Sequence, residues 1–289
     1  WAADEEDEEE GEGGEGEEGE EEDDDEAYLS GGGVYVWGGE LLDCVVVSNA
    51  AMMGGGVFVD GEGGDLGADN LVLDCDIEGN TAEWGGGGLS VMDGGEVWHC
   101  RIRGNAAQWG GGAVIEYEGV LGNCLVTGNE SLHEEYDGSG VLLLDGGTIE
   151  SCTIAANAAA ATNGCAVRAE VDDEEGGGAT TCGEMLNSIV FGNSNVNYAP
   201  ADVAAATLDG IEFSCAPELT AGVDGNLNGD PQWMDAAGGD YRLAEGSPCV
   251  NTGTNQDWMA GAEDLGGNPR IVDAVVDMGA YEVQPPVLS

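Results

Sequence analysis

Lysine is missing altogether. The five basic residues, all arginine (Arg101, Arg103, Arg168, Arg242, Arg270), stand against 59 acidic ones, giving a formal net charge of −54. A chain so poor in cations cannot neutralise phosphates, which excludes a nucleic-acid binder. For the same reason it cannot dock electrostatically on an anionic membrane. No apolar run approaches the ~18 residues that a membrane-spanning helix needs. With two histidines and no Cys-x-x-Cys pair, the sequence offers no thiolate–imidazole zinc set. Nor does it show a Ser-His-Asp arrangement or a phosphate-cradling glycine loop.

Acid, glycine and cysteine are what the sequence has instead. Residues 4 to 26 are Asp, Glu and Gly only, with 18 acidic residues and five glycines filling all 23 positions. Such a block repels itself and buries nothing, so residues 1–29 read as an acidic, solvated tail open to ordering by cations. Without it 41 acidic residues still face five arginines, so the body is acidic in its own right. Hydrophobic residues make up 42% of the chain, enough to build a core. Glycine contributes 53 of 289 residues beside only seven prolines, which points to many tight turns. Nine cysteines favour an oxidising compartment, hence an extracellular or cell-surface location.

Two blocks alternate along the chain. One is glycine-rich and ends in an aliphatic residue, as in Gly31-Gly32-Gly33-Val34, Gly54-Gly55-Gly56-Val57, Gly86-Gly87-Gly88-Leu89 and Gly111-Gly112-Ala113-Val114. The other reads Cys-x-(Ile/Val)-x-x-Asn, as in Cys44-Val46-Asn49, Cys75-Ile77-Asn80, Cys100-Ile102-Asn105, Cys124-Val126-Asn129 and Cys152-Ile154-Asn157. A further copy, Ser188-Val190-Asn193, carries serine in place of cysteine. Fixed blocks at variable spacing mean fixed strands joined by loops of free length. No unit can bury its own apolar face, but stacked units can. The pattern predicts an all-β solenoid, a parallel β-helix, over residues 30–214, with an irregular C-terminal end or cap over 215–289. Asn49, Asn80, Asn105, Asn129 and Asn157 are expected to stack at one corner as a ladder of amides. Cys44, Cys75, Cys100, Cys124 and Cys152 are expected to form an inward column of reduced thiols, packed as small hydrophobes.

The paired blocks resemble the repeats of chlamydial polymorphic outer-membrane proteins, with Ile or Val where that family places an aromatic. The end of the chain resembles the choice-of-anchor Q region of secreted bacterial right-handed β-helix proteins. The residues that carry this are Asp224-Gly-Asn-Leu-Asn-Gly-Asp230-Pro231-Gln-Trp233, Gly239-Asp240-Tyr241-Arg242-Leu243, Gly246-Ser247-Pro248-Cys249, Asp264-Leu-Gly-Gly-Asn268-Pro269-Arg270-Ile271 and Asp277-Met-Gly279-Ala280-Tyr281-Glu282. The resemblance implies a right-handed coil, secretion and surface attachment, and no particular reaction. In line with the secreted family, a disulfide between Cys215 and Cys249 is expected.

Outward positions of successive coils supply the candidate chemistry. In register, Asp74 faces His99, Asp76 faces Arg101 and Glu78 faces Arg103. As an enzyme this would resemble the acidic-plus-arginine sites of β-helix pectate lyases and polygalacturonases, with carboxylates as acid and base or as calcium ligands. As structure it is a cross-strand ladder of ion pairs. A second candidate is Asp224-x-Asn226-x-Asn228-x-Asp230 with Asp235, whose spacing matches a calcium loop. The function expected is therefore a structural β-helix: a stalk, adhesin-like module or fibre subunit, calcium-stabilised, self-associating through its coil ends and meeting a glycan or host surface. The alternative is a carbohydrate-active enzyme or polysaccharide binder using Asp74, Asp76, His99, Arg101 and Arg103.

Overall fold

The computed structural model describes residues 30–61, 70–133, 138–160, 165–170, 183–193, 196–198 and 210–285. The acidic tail 1–29 and Cys182 lie outside the described residues. The first coil is made of four short strands, Val34–Trp37, Glu40–Leu42, Val45–Val47 and Ala50–Met53. Each strand pairs in parallel with its counterpart in the next coil, so four sheets run along the axis with seven, seven, six and five strands. The architecture is an all-β parallel solenoid of about five complete turns, followed by one antiparallel hairpin of Trp233–Asp235 with Asp240–Leu243.

The third sheet shows how sequence sets register. It stacks Val45–Val47, Asp76–Glu78, Arg101–Arg103, Leu125–Thr127, Thr153–Ala155 and Ile189–Phe191. The central residue of each strand points inward, so Val46, Ile77, Ile102, Val126, Ile154 and Val190 form one buried column. Burying each of these side chains contributes roughly 1.5–3 kcal/mol. A shift of one residue would bring the charged neighbours into that column, so the register is strongly specified.

Corners are fixed by left-handed residues. One corner is entered through Asp43, Asp74, His99, Asn123, Ser151 and Asn187, at φ between +48° and +57°. The next residue is the cysteine or serine of the repeat. The thiols of Cys75, Cys100, Cys124 and Cys152 accept the backbone N–H of the preceding coil's ladder residue at 3.3–3.4 Å, and all five thiols donate to the carbonyl two residues back. The cysteines are therefore hydrogen-bonding members of the corner as well as packed apolar groups. Ser188 and Ser214 continue the same pattern, and Asn226 ends it by accepting the Ser214 N–H at 2.9 Å.

The other ladder is the asparagine one. Asn105 Oδ1 accepts both the backbone N–H and the side-chain amide of Asn80, while its own Nδ2 donates to Ile77 O and Asn129 Oδ1. Asn129 and Asn157 repeat this pattern, Asn49 makes only the donor half of it toward Asn80, and Asn193 receives the last pair of bonds. The glycine block serves a third corner, where Gly86 has φ +67°. A Cβ on Gly87 would stand 2.5 Å from the carbonyl oxygens of Ala106 and Gly111, so adjacent coils approach too closely for a side chain.

Candidate functional site

Outward side chains of the third sheet change character along the axis. They run from Val45 and Val47 through Asp76 and Glu78, then Arg101 and Arg103, to Leu125, Thr153, Ala155 and Ile189. The first pair is exposed, the charged four are partly exposed, and Leu125, Ala155 and Ile189 are buried. What buries them is the C-terminal segment, which folds back over this face. Leu125 and Ala155 cluster with Tyr241, Leu265 and Ala280, and Ile189 clusters with Cys215, Leu243, Cys249 and Met278. Trp258 completes the seal on the second sheet. Its ring meets Trp98 edge-on at 4.8 Å, and its Nε1 donates to Glu150 at 2.7 Å.

Each sequence candidate can be placed against that cover. Asp74 does meet His99, with Oδ1 3.3 Å from Nδ1. The other ring nitrogen of His99 lies 2.6 Å from the Glu263 carbonyl of the C-terminal segment. Arg101 is in register with Asp76 but turns away from it. Its Nη2 donates to the Leu265 carbonyl at 2.7 Å, and the guanidinium also bonds Tyr281. Burial raises the Tyr281 hydroxyl above the ordinary tyrosine pKa, and the Arg101 charge works against that. Arg103 takes both carboxylates instead, at 3.7 Å from Asp76 and 3.3 Å from Glu78. Side chains that remain 39–55% exposed make such pairs worth about 0–1 kcal/mol. Within the charged patch Arg103 thus pairs with the carboxylates at the surface, while the Arg101 edge is roofed by the C-terminal segment.

The proposed calcium set is spread over successive turns. Asn226 is buried, with Oδ1 on Ser214 N and Nδ2 donating to Ile211 O. Asp230 accepts from Gln232 N at 2.8 Å and Asp235 from Gly238 N at 3.1 Å. Asp224 bonds Phe213 through its main-chain carbonyl, and Asn228 is exposed. Among the described residues no three His, Cys, Asp or Glu side chains converge in a group able to hold a metal. Cys215 and Cys249, the pair expected as a disulfide, are brought together inside the second cluster. Their proximity lowers the pKa of the Cys215 thiol and, with burial, raises that of Cys249.

A buried charge network escaped the sequence reading. Arg270 is fully buried, and its Nη1 donates to Glu282 at 3.1 Å while Nη2 donates to the carbonyls of Asp277 and Gly279. Both Asp264 and Asp277 sit beside it with their carboxylates accepting main-chain N–H groups. Burial, reinforced by the Asp277 charge, pushes Glu282 up to about 7. Burial also raises Asp277 and Glu150. A signal was available: one of only five cations lies between two acidic motifs in a stretch with no strand periodicity.

Four parallel sheets, inward aliphatic columns and amide-laddered corners define a β-helix. The chain matches, over residues 32–213, the family described as the right handed beta helix region, and it belongs to that family. The coil is accordingly right-handed. No curated protein matches the chain. Among solved structures, the crystal structure of pectate lyase Pel9A is similar at 11% identity with a TM-score of 0.40, covering 89% of this chain and 69% of that one.

Proposed function

We propose that this protein is a secreted or cell-surface structural β-helix, a stalk or adhesin-like scaffold whose C-terminal segment has the character of a choice-of-anchor Q end. The observation that carries this reading is Arg101. Its guanidinium is held by the Leu265 carbonyl at 2.7 Å beneath a segment sealed by Tyr241, Leu265 and Met278. An enzyme working on this face would need Arg101 and His99 open to substrate, whereas both are tied to main-chain carbonyls. A body of such negative charge would also repel an acidic polysaccharide.

Self-association through coil ends draws support from the first coil, where Tyr35, Trp37, Leu42, Val45 and Val47 are exposed. Contact with a glycan or host surface, and stabilisation by calcium, belong to the same proposal. Hard cations favour carboxylate oxygens and would relieve the self-repulsion of the acidic body.

The test is turnover on acidic and neutral polysaccharides with calcium present, comparing the wild type with Arg101→Ala/Arg103→Ala. No turnover by either protein is expected. Activity that is lost in the double variant would overturn the scaffold reading and make the charged patch an active site.

A further inference from the structure

Asp230–Pro231 is the only Asp–Pro bond in the chain, and it joins the coils to the covering segment. Asp230 is exposed while Pro231 is buried. Both flanks are held. Upstream, the Gly229 carbonyl accepts from the Cys215 thiol at 3.2 Å. Downstream, the Gln232 carbonyl accepts from Ala244 N at 3.0 Å. Between these anchors Asp230 Oδ1 accepts the Gln232 N–H at 2.8 Å. That contact closes a ring containing the Asp230 carbonyl carbon and the Pro231 nitrogen, so the carboxyl is tied on the side of its own peptide link. Gln232 itself holds a left-handed φ of +56°, unusual for a residue with a side chain.

We infer that the folded protein cleaves its own chain at Asp230–Pro231 in mild acid. A side-chain carboxyl oxygen of Asp230 adds to its main-chain carbonyl carbon, and the bond from that carbon to the Pro231 nitrogen breaks. The carboxyl proton ends on that nitrogen, which leaves as a secondary amine. The cyclic anhydride remaining on Asp230 is opened by one water to a C-terminal aspartate. Proline suits the step because it has no N–H, so ring closure through the following nitrogen to an imide is unavailable. Holding nucleophile and carbonyl together is what the fold adds over an unfolded chain. Beside this bond the Cys215 thiol, which donates to the Gly229 carbonyl, lies within electrostatic reach of Asp230.

The cut would leave two pieces joined without a covalent link. The segment after Pro231 would stay on the coils through Leu243 and Met278 against Ile189, and through the bonds of Glu263 and Leu265 to His99 and Arg101. A continuous scaffold would become a tether that releases only when those contacts fail.

The test uses the full chain in mildly acidic buffer, followed by intact-mass measurement over several days. Fragments ending at Asp230 and starting at Pro231 are expected, co-eluting in native buffer and separating in denaturant. The folded protein should cleave roughly tenfold or more faster than the same protein in urea at the same pH. Asp230→Asn keeps the Oδ1 acceptor, so it should melt like the wild type and stay intact. Equal or faster cleavage in urea, a wild type that stays whole, or an Asp230→Asn variant that is cut at the same bond would each overturn the inference.

Discussion

Ser188 Oγ accepts the backbone N–H of Cys152 at 3.0 Å, in the place where Cys152 Sγ accepts the N–H of Cys124 at 3.4 Å. Both side chains donate to the carbonyl two residues back, Ser188 to Leu186 and Cys152 to Glu150. A hydroxyl therefore does what the thiol does at this corner. The column is defined by a short side chain that can both donate and accept after a left-handed residue.

The first prediction follows from that equivalence. Cys100→Ser should keep the bond from Cys75 N–H and change stability by no more than about 1 kcal/mol. Cys100→Ala leaves that buried N–H without a partner and should cost about 1–3 kcal/mol. If thiol burial alone mattered, alanine would be the better replacement. Urea unfolding midpoints of the two variants decide the order.

Asparagine position along the axis should matter as much as asparagine identity. Asn105→Ala removes a side chain making two donated and two accepted bonds, stranding Asn80 N–H and Ile77 O in the interior, while Asn129 Oδ1 keeps the backbone N–H of residue 105. A loss of at least about 3 kcal/mol is expected. Asn49→Ala, at the half-exposed first coil, strands little, because Asn80 Oδ1 still accepts the backbone N–H of residue 49. That variant should fall within about 1 kcal/mol of the wild type. Similar losses for both would mean the ladder is not held by its buried bonds.

Much of this was legible because a solenoid writes its contacts as a repeat. Asn80 touches Asn105 and Asn105 touches Asn129 across one coil each, so the block Cys-x-(Ile/Val)-x-x-Asn announces the corner, the inward column and the register together. The pairing of Arg103 with Glu78 came from that register, and so did the facing of Asp74 and His99. The path of the C-terminal segment was not legible. It has a single hairpin and no periodicity, and its contacts, such as Glu263 with His99, join residues 164 positions apart in the sequence. A trace of it was present. Outward positions switch from Asp76 and Arg101 to Leu125 and Ile189, an apolar strip that in water would need a cover. Arg101 was assigned to Asp76 because register fixes Cα neighbours, whereas a long guanidinium can reach past them to Leu265.

Acidification should tighten the covering segment. The folded pKa of Glu282, about 7, lies above its ordinary value of 4.5. Between those values the folded state holds more proton than the unfolded chain. The contribution is therefore fully present below the ordinary value and is lost as pH rises through about 7. Asp277 and Glu150, also raised, add in the same direction. Bulk charge makes the whole chain gain from acid too, so the informative quantity is the difference between the wild type and Glu282→Gln. Stability of the wild type should climb on going from about pH 8 to pH 5 by on the order of 2 kcal/mol more than that of the variant. Parallel profiles would remove Glu282 from the linkage.

Two arginines with similar-looking partners should behave oppositely. Arg103 pairs with Asp76 and Glu78 at the surface, so Arg103→Ala should cost no more than about 1 kcal/mol. Arg270 is fully buried against Glu282, and Arg270→Met would leave that carboxylate and Asp277 in the interior without their cation. Breaking a buried pair from one side costs about 3–5 kcal/mol when the remaining charge has no escape. Glu282 has one, since its raised pKa lets it take up a proton. The Arg270→Met loss should therefore be large at pH 8 and shrink at pH 5, whereas the Arg103→Ala effect stays small at both. Unfolding of both variants at the two pH values checks this. A pH-independent loss for Arg270→Met would mean the guanidinium holds the segment through the carbonyls of Asp277 and Gly279, and not through Glu282.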